Sequence, residues 1–417
     1  MLSIKPEKIP FVRGQQGERM RIAKVQVLFL TCLTAVPFAF SQVTHGRVPV
    51  LPRPFIKPIE ANPPEVNPVA GFKPRAPEGF SVSLFARGFK EPRYLTVAPD
   101  GDVFVADSTL GEVIVLHDPG RGAASNGRTV FADGLAQPFG IAFHGNYVYV
   151  ADTNEVLRFR YDPKTSRRLG KREHILGLPG GGMHWTRTVV FSQDGKKMYV
   201  AAGSDCNVCV EPDSRRAAIT AADPDGRNAS IYASGLRNAV GLAINPETGE
   251  LWADVNERDM MGDDLPPDYF THVTPGGFYG WPYSYIGQHL DPRVKTSRPD
   301  LVAKAIIPDV LLKPHVAPLE CVFYRGDQFP EPFRHGAFIA EHGSWNRSIL
   351  SGYEVVFIPF RAGRPGGDPA VFLTGFDPDP HSRVVNGRPA GVAEAKDGSL
   401  LVSDDGGNVI WRVSKKP

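Results

Sequence analysis

The chain has 417 residues, with 47 Lys and Arg against 45 Asp and Glu, and a formal net charge of +2. With that balance and no basic stripe along any segment, a nucleic-acid backbone is excluded as the partner. The length admits one large all-β domain or two smaller ones, and 43 Gly and 39 Pro suit many short strands joined by turns.

The N-terminus predicts export. Residues 1–41 hold six Lys and Arg and two Asp and Glu. Met20-Arg-Ile-Ala-Lys24 forms a basic start, Val25 to Phe40 is apolar, and Ala39-Phe-Ser41 offers the small residues read by a signal peptidase. The apolar run of about 16 residues falls short of the ~20 that a spanning helix needs, so no membrane span is expected after cleavage. A signal peptide over 1–41, with Met20 as the alternative start, implies a periplasmic or secreted protein.

Residues 42–77 are Pro-rich and aperiodic, which predicts an extended linker or a strap along the domain surface. The folded domain, 78–417, is expected to start near Gly79-Phe-Ser-Val-Ser-Leu-Phe85.

From there one pattern returns six times: an apolar strand, a tight turn and a second apolar strand. Its clearest copy is Leu95-Thr-Val-Ala-Pro-Asp-Gly-Asp-Val-Phe-Val-Ala-Asp107; the others are anchored at Gly140, Thr188, Gly241, Cys321 and Gly391. The intervals are 45, 48, 53, 80 and 70 residues. Four-stranded propeller blades take about 40–50, so the first three intervals fit and the last two carry insertions. The expectation is an all-β, six-bladed β-propeller of four-stranded antiparallel blades, closed by the N-terminal strand pairing into the last blade.

The repeat also has a phase. Three or four residues before each anchor lie the residues entering the innermost strand. They are Gln137, then His184 with Trp185, then Arg237 with Asn238, and lastly Arg388; the first and fifth copies give Pro92 and Pro318. The long loops after Asp254 and Glu341, the second carrying Arg347, open on the same rim. Singly, each residue has an ordinary structural explanation in a turn or an ion pair. Together they predict a concave, cationic pocket for an anionic ligand. The loop Asn256-Glu-Arg-Asp-Met-Met-Gly-Asp-Asp264 offers hard oxygen ligands compatible with Ca²⁺, although it lacks EF-hand spacing and also reads as a solvated acidic turn. In an oxidising compartment Cys206-Asn-Val-Cys209 predicts a local disulfide, with Cys321 a buried free thiol.

At these residues the sequence resembles the soluble glucose/sorbosone dehydrogenases, including the pyranose dehydrogenases that use pyrroloquinoline quinone (PQQ). The resemblance rests on Gly235-Leu-Arg-Asn-Ala-Val-Gly-Leu-Ala243, Asn256-Glu-Arg-Asp259 with Gly262-Asp-Asp-Leu-Pro-Pro267, and Gly277-Phe-Tyr-Gly-Trp-Pro282. Met183-His184 and Glu341-His-Gly-Ser-Trp-Asn-Arg347 add to it, and it runs from about Pro77 to Val413. It implies PQQ held over the channel mouth by Ca²⁺, with His184 as catalytic base. Gln137, Arg237, Asn238, Arg347 and Arg388 would be cofactor contacts, and Glu257, Arg258, Asp263 and Asp264 would lie at the metal. Trp185, Tyr279, Trp281 and Trp345 offer a sugar-stacking wall, although large aromatics also simply fill cores. Pro389-Ala390 stands where some members carry a second Arg.

The implied activity is oxidation of an aldose, sorbosone or related sugar, with hydride passing to the quinone and electrons leaving to a separate acceptor. The alternatives are a Ca²⁺-dependent propeller hydrolase of lactonase type and a propeller that only binds a peptide or glycan. Arg237 and Arg388 speak against the hydrolase.

Overall fold

Each of the six hairpins builds the inner part of a four-stranded antiparallel blade, two of the blades carry one further short strand, and the six sheets form the ring of a six-bladed propeller. This computed structural model describes residues 41–56, 61–120 and 122–416. The expected signal peptide lies outside the described residues apart from Ser41.

Blade 1 runs outward through Pro92–Val97, Val103–Asp107, Glu112–His117 and Gly127–Ala132. The innermost strands of blades 2 to 6 are Ile141–His144, Arg187–Phe191, Ala239–Ile244, Pro318–Tyr324 and Pro389–Glu394. The second strands are apolar almost throughout because neighbouring blades cover both of their faces; all five residues of Val103–Asp107 and of Leu400–Asp404 are buried. Large aromatics fill the wedge between blades 5 and 6, where Phe329, Phe338 and Phe372 pack together. Phe80–Arg87 pairs antiparallel with Val409–Lys415 and closes the ring, so the last blade has its fourth strand from the start of the domain. Closure thus joins the two ends of the domain within one blade.

The acidic residue that ends most second strands has a common task. Asp107 accepts the backbone N–H groups of Lys90 and Glu91, Asp152 that of Ala136, and Asp404 that of Arg388. Each carboxylate therefore fixes the loop entering its own blade's innermost strand. In blades 2 and 6 that loop carries Gln137 and Arg388, so there the repeat fixes the rim as well as the blade.

In blade 4 the same position, Asp254, is wholly buried and accepts the Gly241 N–H. A side chain at Gly241 would overlap its carboxylate, which is why the position is glycine. Burial pushes the Asp254 carboxyl up to about 7. Between about pH 4 and 7 the native state keeps a proton there that the unfolded chain has released, so stability falls as pH rises through that window. Denaturant midpoints measured across it should decline with pH, and Asp254→Asn should flatten the decline. An unchanged slope in the variant would contradict the assignment.

On the channel axis, Glu320 of blade 5 accepts N–H bonds from Leu95 of blade 1 and Val392 of blade 6. One buried carboxyl thus ties three innermost strands, and burial holds it well above the usual carboxyl range. Residues 42–56 and 61–77 run over the blades: Val43 bridges Val310, Glu65–Val66 pairs parallel with Val384–Val385, and Arg75 bridges Thr374. On the way, Asn62 donates from its backbone to Trp345 O and from its side chain to Arg347 O.

Candidate active site

The loops entering blades 3 and 4 meet the insertions after Asp254 and Glu341 around a cavity of about 220 Å³. His184, Arg237, Asn238, Glu257, Asp259 and Asp268 line it, together with Asn256, His315 and Asn346. Met183 and Trp345, both exposed, stand among its lining residues.

His184 is half-buried just before the blade 3 innermost strand. Its Nδ1 lies 2.8 Å from the carbonyl of Ser204. A carbonyl only accepts, so Nδ1 carries the proton and Nε2 keeps its lone pair. Among the described residues nothing bonds to Nε2. Burial, and then the Arg237 cation, pull the imidazole down to about 3, so it is neutral across the physiological range. Gly203 lies against this pair: a Cβ there would overlap Asn238 Oδ1 and come within 2.7 Å of His184 Cβ. Asn238 itself is buried, and among the described residues its Oδ1 has no partner.

Arg237 is buried and fully engaged. It pairs with Asp259 at 2.7 Å and donates to both the carbonyl and the side-chain oxygen of Asn207, and to the carbonyls of Asn256 and Glu257. Asp259 also accepts from Asn346 at 2.8 Å. Asp268 accepts the N–H groups of Glu257 and Ala317, and burial pushes it up to about 8. His315 donates from Nε2 to the Gly262 carbonyl at 2.9 Å.

The sequence-predicted residues divide into groups. His184, Arg237, Asn238 and Glu257 come together at the cavity. Arg258 lies behind it in a buried cluster with Glu257 and Asp291, so its side chain is no ligand and only its carbonyl remains for a metal. Asp263 and Asp264 turn away to Arg347 and Ser348: Arg347 Nη2 meets Asp264 at 2.6 Å, and both Ser348 N and Oγ bond to Asp263. Arg388 donates to the carbonyls of His342 and Gly343, beside a cluster of Arg93, His342 and Asp405. Gln137 is exposed, in a left-handed conformation (φ 51°).

The expected aromatic wall is reduced. Tyr279 and Trp281 are 1% and 2% exposed and donate to the carbonyls of His272 and Asn207. Trp345 presents 43% of its surface, while Trp185 sits half-buried under the Arg93 guanidinium. Cys206 and Cys209 form a disulfide and Cys321 is a buried free thiol. Among the described residues, the one set of three His, Cys, Asp or Glu ligand atoms within 4.8 Å of one another is Cys206, Cys209 and Glu211, and its sulfurs are spent in that disulfide.

Sequence reasoning missed Asn207, Asp268, His315 and Asn346. His315 lies three residues upstream of Pro318, where the phase count stopped. His315 and Ala317 both have positive φ, and the Pro318/Glu320 bulge shifts the register.

The curated relatives include an uncharacterised protein of Borreliella burgdorferi, 29% identical over 81% of this chain and 90% of its own length. A pyrroloquinoline quinone-dependent pyranose dehydrogenase of Coprinopsis cinerea is 26% identical over 67% of this chain, and the match spans 44% of that protein. Among solved structures, the holo form of the PQQ domain of the Coprinopsis cinerea pyranose dehydrogenase superposes with a TM-score of 0.71 at 22% identity, covering 84% of this chain and 99% of that one. The calcium structure of the Trichoderma reesei carbohydrate-active enzyme of family AA12 gives the same TM-score and identity, over 82% and 97%. The family described as TrAA12-like matches residues 74–268 and 291–416, which include His184, Arg237, Asn238 and the loop to Asp268. With that match spread over all six blades and the rim loops that build the cavity, the chain belongs to the TrAA12-like family.

Proposed function

We propose that the chain is a PQQ- and Ca²⁺-dependent oxidoreductase that oxidises an aldose or related sugar, with His184 as general base. One observation carries the reading: an imidazole locked as the Nδ1–H tautomer, its Nε2 lone pair unengaged, beside a cavity lined with buried oxygen donors. The names of the family relatives supply the reaction class.

The residues fit the two groups together. Among the described residues Asn238 Oδ1 lacks a partner, Asp259 adds a carboxylate, and Asn256 and Glu257 add backbone carbonyls, hard oxygen donors suited to a divalent cation. An anionic quinone alone would meet the Asp259 carboxylate beside an Arg237 that is already paired with it; a cation between them removes that repulsion. The cavity is smaller than the ~300–1,000 Å³ of ordinary small-molecule pockets. Exposed Met183 and Trp345 provide the apolar surface that a flat aromatic cofactor covers.

PQQ, when bound, would supply the two-electron acceptor. The chain's own part is acid–base and positional. His184 Nε2 takes the proton of the sugar hydroxyl as the adjacent C–H bond gives up its hydride. Ser204 O holds Nδ1–H, which fixes the ring plane and disperses the charge the imidazole gains. Burial, with Arg237 second, keeps that imidazole neutral until the proton arrives, and an anionic ligand close to Arg237 would offset its field and strengthen the base. Export to the periplasm or exterior and a separate electron acceptor complete the proposal. No helix among the described residues is long and apolar enough to cross a membrane.

The acidic lining also suits a Ca²⁺-dependent hydrolase, and one experiment separates the two. Purified protein is titrated with PQQ plus Ca²⁺ while absorbance and thermal midpoint are followed, and then assayed for dye-linked oxidation of an aldose panel. Binding should stabilise by about 2.7 kcal/mol at a hundredfold excess over Kd, with oxidation appearing only when both are present. Saturation with PQQ and Ca²⁺ without oxidation of any sugar or alcohol would overturn the reading. Lactone hydrolysis with Ca²⁺ alone would install the hydrolase in its place.

A further inference from the structure

The four-residue loop Cys206-Asn-Val-Cys209 touches both halves of the site. On one side Ser204 Oγ donates to Cys206 O at 2.7 Å, and the carbonyl of the same serine receives His184 Nδ1–H. On the other side Asn207 makes five links with its backbone and amide. Its carbonyl accepts from Arg237 Nε and from the Trp281 indole. Its Oδ1 accepts from Arg237 Nη2 at 3.1 Å and from the Asp259 N–H at 2.8 Å. Its Nδ2 donates to Asp259 O at 3.0 Å.

No other residue described bonds both to the cation and to the backbone of the acidic loop in this way. Asn207 belongs to no regular strand, lying between Met198–Ala202 and Ala218–Ala222. What closes its loop is the disulfide. The loop is half-buried and Val210 beside it is 54% exposed, so a thiol reagent can reach it.

We propose that Asn207, locked in place by the Cys206–Cys209 disulfide, is a positioning residue that holds Arg237 and the Asp259 backbone in register with His184. Opening the disulfide therefore disarms the site without unfolding the propeller. The inference rests on the reading of His184 as base. Reduction balances simply: a dithiol reductant closes to its own disulfide while two electrons and two protons convert the Cys206–Cys209 bond to two thiols. Loss of alignment by about 1 Å costs on the order of a hundredfold in rate.

The test uses the full folded protein, loaded with PQQ and Ca²⁺ for kinetics and unloaded for spectroscopy. Dithiothreitol opens the disulfide, thiol titration counts two new thiols, and reoxidation closes it again. Expected on reduction are a fall in kcat of about a hundredfold with sugar KM little changed, and unaltered far-UV circular dichroism. The hydrogen-bonded Nδ1–H proton signal of His184, assigned by its absence from His184→Gln, should be lost to exchange with water. All of these should return on reoxidation.

Asn207→Ala should lower kcat similarly with the disulfide intact. Asn207→Asp, which keeps the oxygen that accepts from Arg237 and Asp259, should recover part of the loss. Two new thiols with an unmoved His184 signal would overturn the proposal, as would full kcat in Asn207→Ala. Loss of circular dichroism on reduction would also overturn it, making the loop merely structural. If the protein oxidises no sugar yet the His184 signal disappears and returns with the disulfide, the positioning role stands and the proposed reaction fails.

Discussion

Replacing His184 by Ala should lower sugar oxidation by the loaded protein about 10²–10⁴-fold, the usual range for a positioned general base, while PQQ and Ca²⁺ still bind. The side chain is half-buried and has one hydrogen-bonding neighbour, Ser204, through Nδ1. Its removal therefore opens space at the cavity wall and leaves the blade intact. Arg237, whose partners are Asn207, Asn256, Glu257 and Asp259, keeps all of its bonds. Steady-state kinetics on an aldose, with the cofactor-induced thermal shift as control, checks the result. A variant retaining a tenth or more of the wild-type rate would remove His184 from the chemistry and move the search to His315, the other neutral imidazole on the cavity.

Periodicity made much of this legible in the sequence. Blades sandwiched between blades need apolar strands on both faces, and tight turns must return at nearly fixed intervals, so both architecture and number of blades can be counted from hairpins. The phase of the same hairpins led to His184, Arg237 and Asn238, because each precedes the innermost strand of its blade and so falls on the same rim as the long loops.

Pairing across the fold was not legible. The acidic loop Asn256–Asp264 reads as one cluster, yet positive φ at Met260 (69°) and Gly262 (114°) turns the chain midway. Glu257 and Asp259 stay at the cavity, while Asp263 and Asp264 are delivered to Ser348 and Arg347 more than eighty residues away. The cationic pocket expected from counting arginines carries a different charge for the same reason. Arg237 is matched by Asp259, Arg347 by Asp264, and Arg388 lies with Arg93 and Asp405 in a separate cluster. Net charge along a rim says little until the partners, contributed by other blades, are known.

Arg258→Ala should be the most destabilising single change at the site, costing about 3–5 kcal/mol, the range for removing one member of a buried ion pair. Arg258 has no exposed surface. Its Nε meets Glu257 at 2.9 Å, Nη1 meets Asp291 at 3.1 Å and the Pro282 carbonyl at 2.9 Å, and Nη2 meets the Ser284 carbonyl at 2.6 Å. The guanidinium also lies over the Tyr285 ring. Truncation leaves Glu257 without a counter-charge and two carbonyls without donors, whereas Asp291 retains Arg293 at 2.8 Å. The uncompensated carboxylate, more than the lost packing, sets the cost. Arg258→Met, which restores volume without charge, should therefore be nearly as damaging as Ala. Adding Glu257→Gln to either variant should recover part of the loss, because a neutral amide is cheaper to bury than an unpaired carboxylate. Urea unfolding midpoints measure all four variants. A cost below about 1 kcal/mol for Arg258→Ala would place the cluster with surface pairs. Because Glu257 also lines the cavity, the Arg258 variants should lose the Ca²⁺-induced thermal shift along with stability, which separates this cluster from packing elsewhere in the propeller.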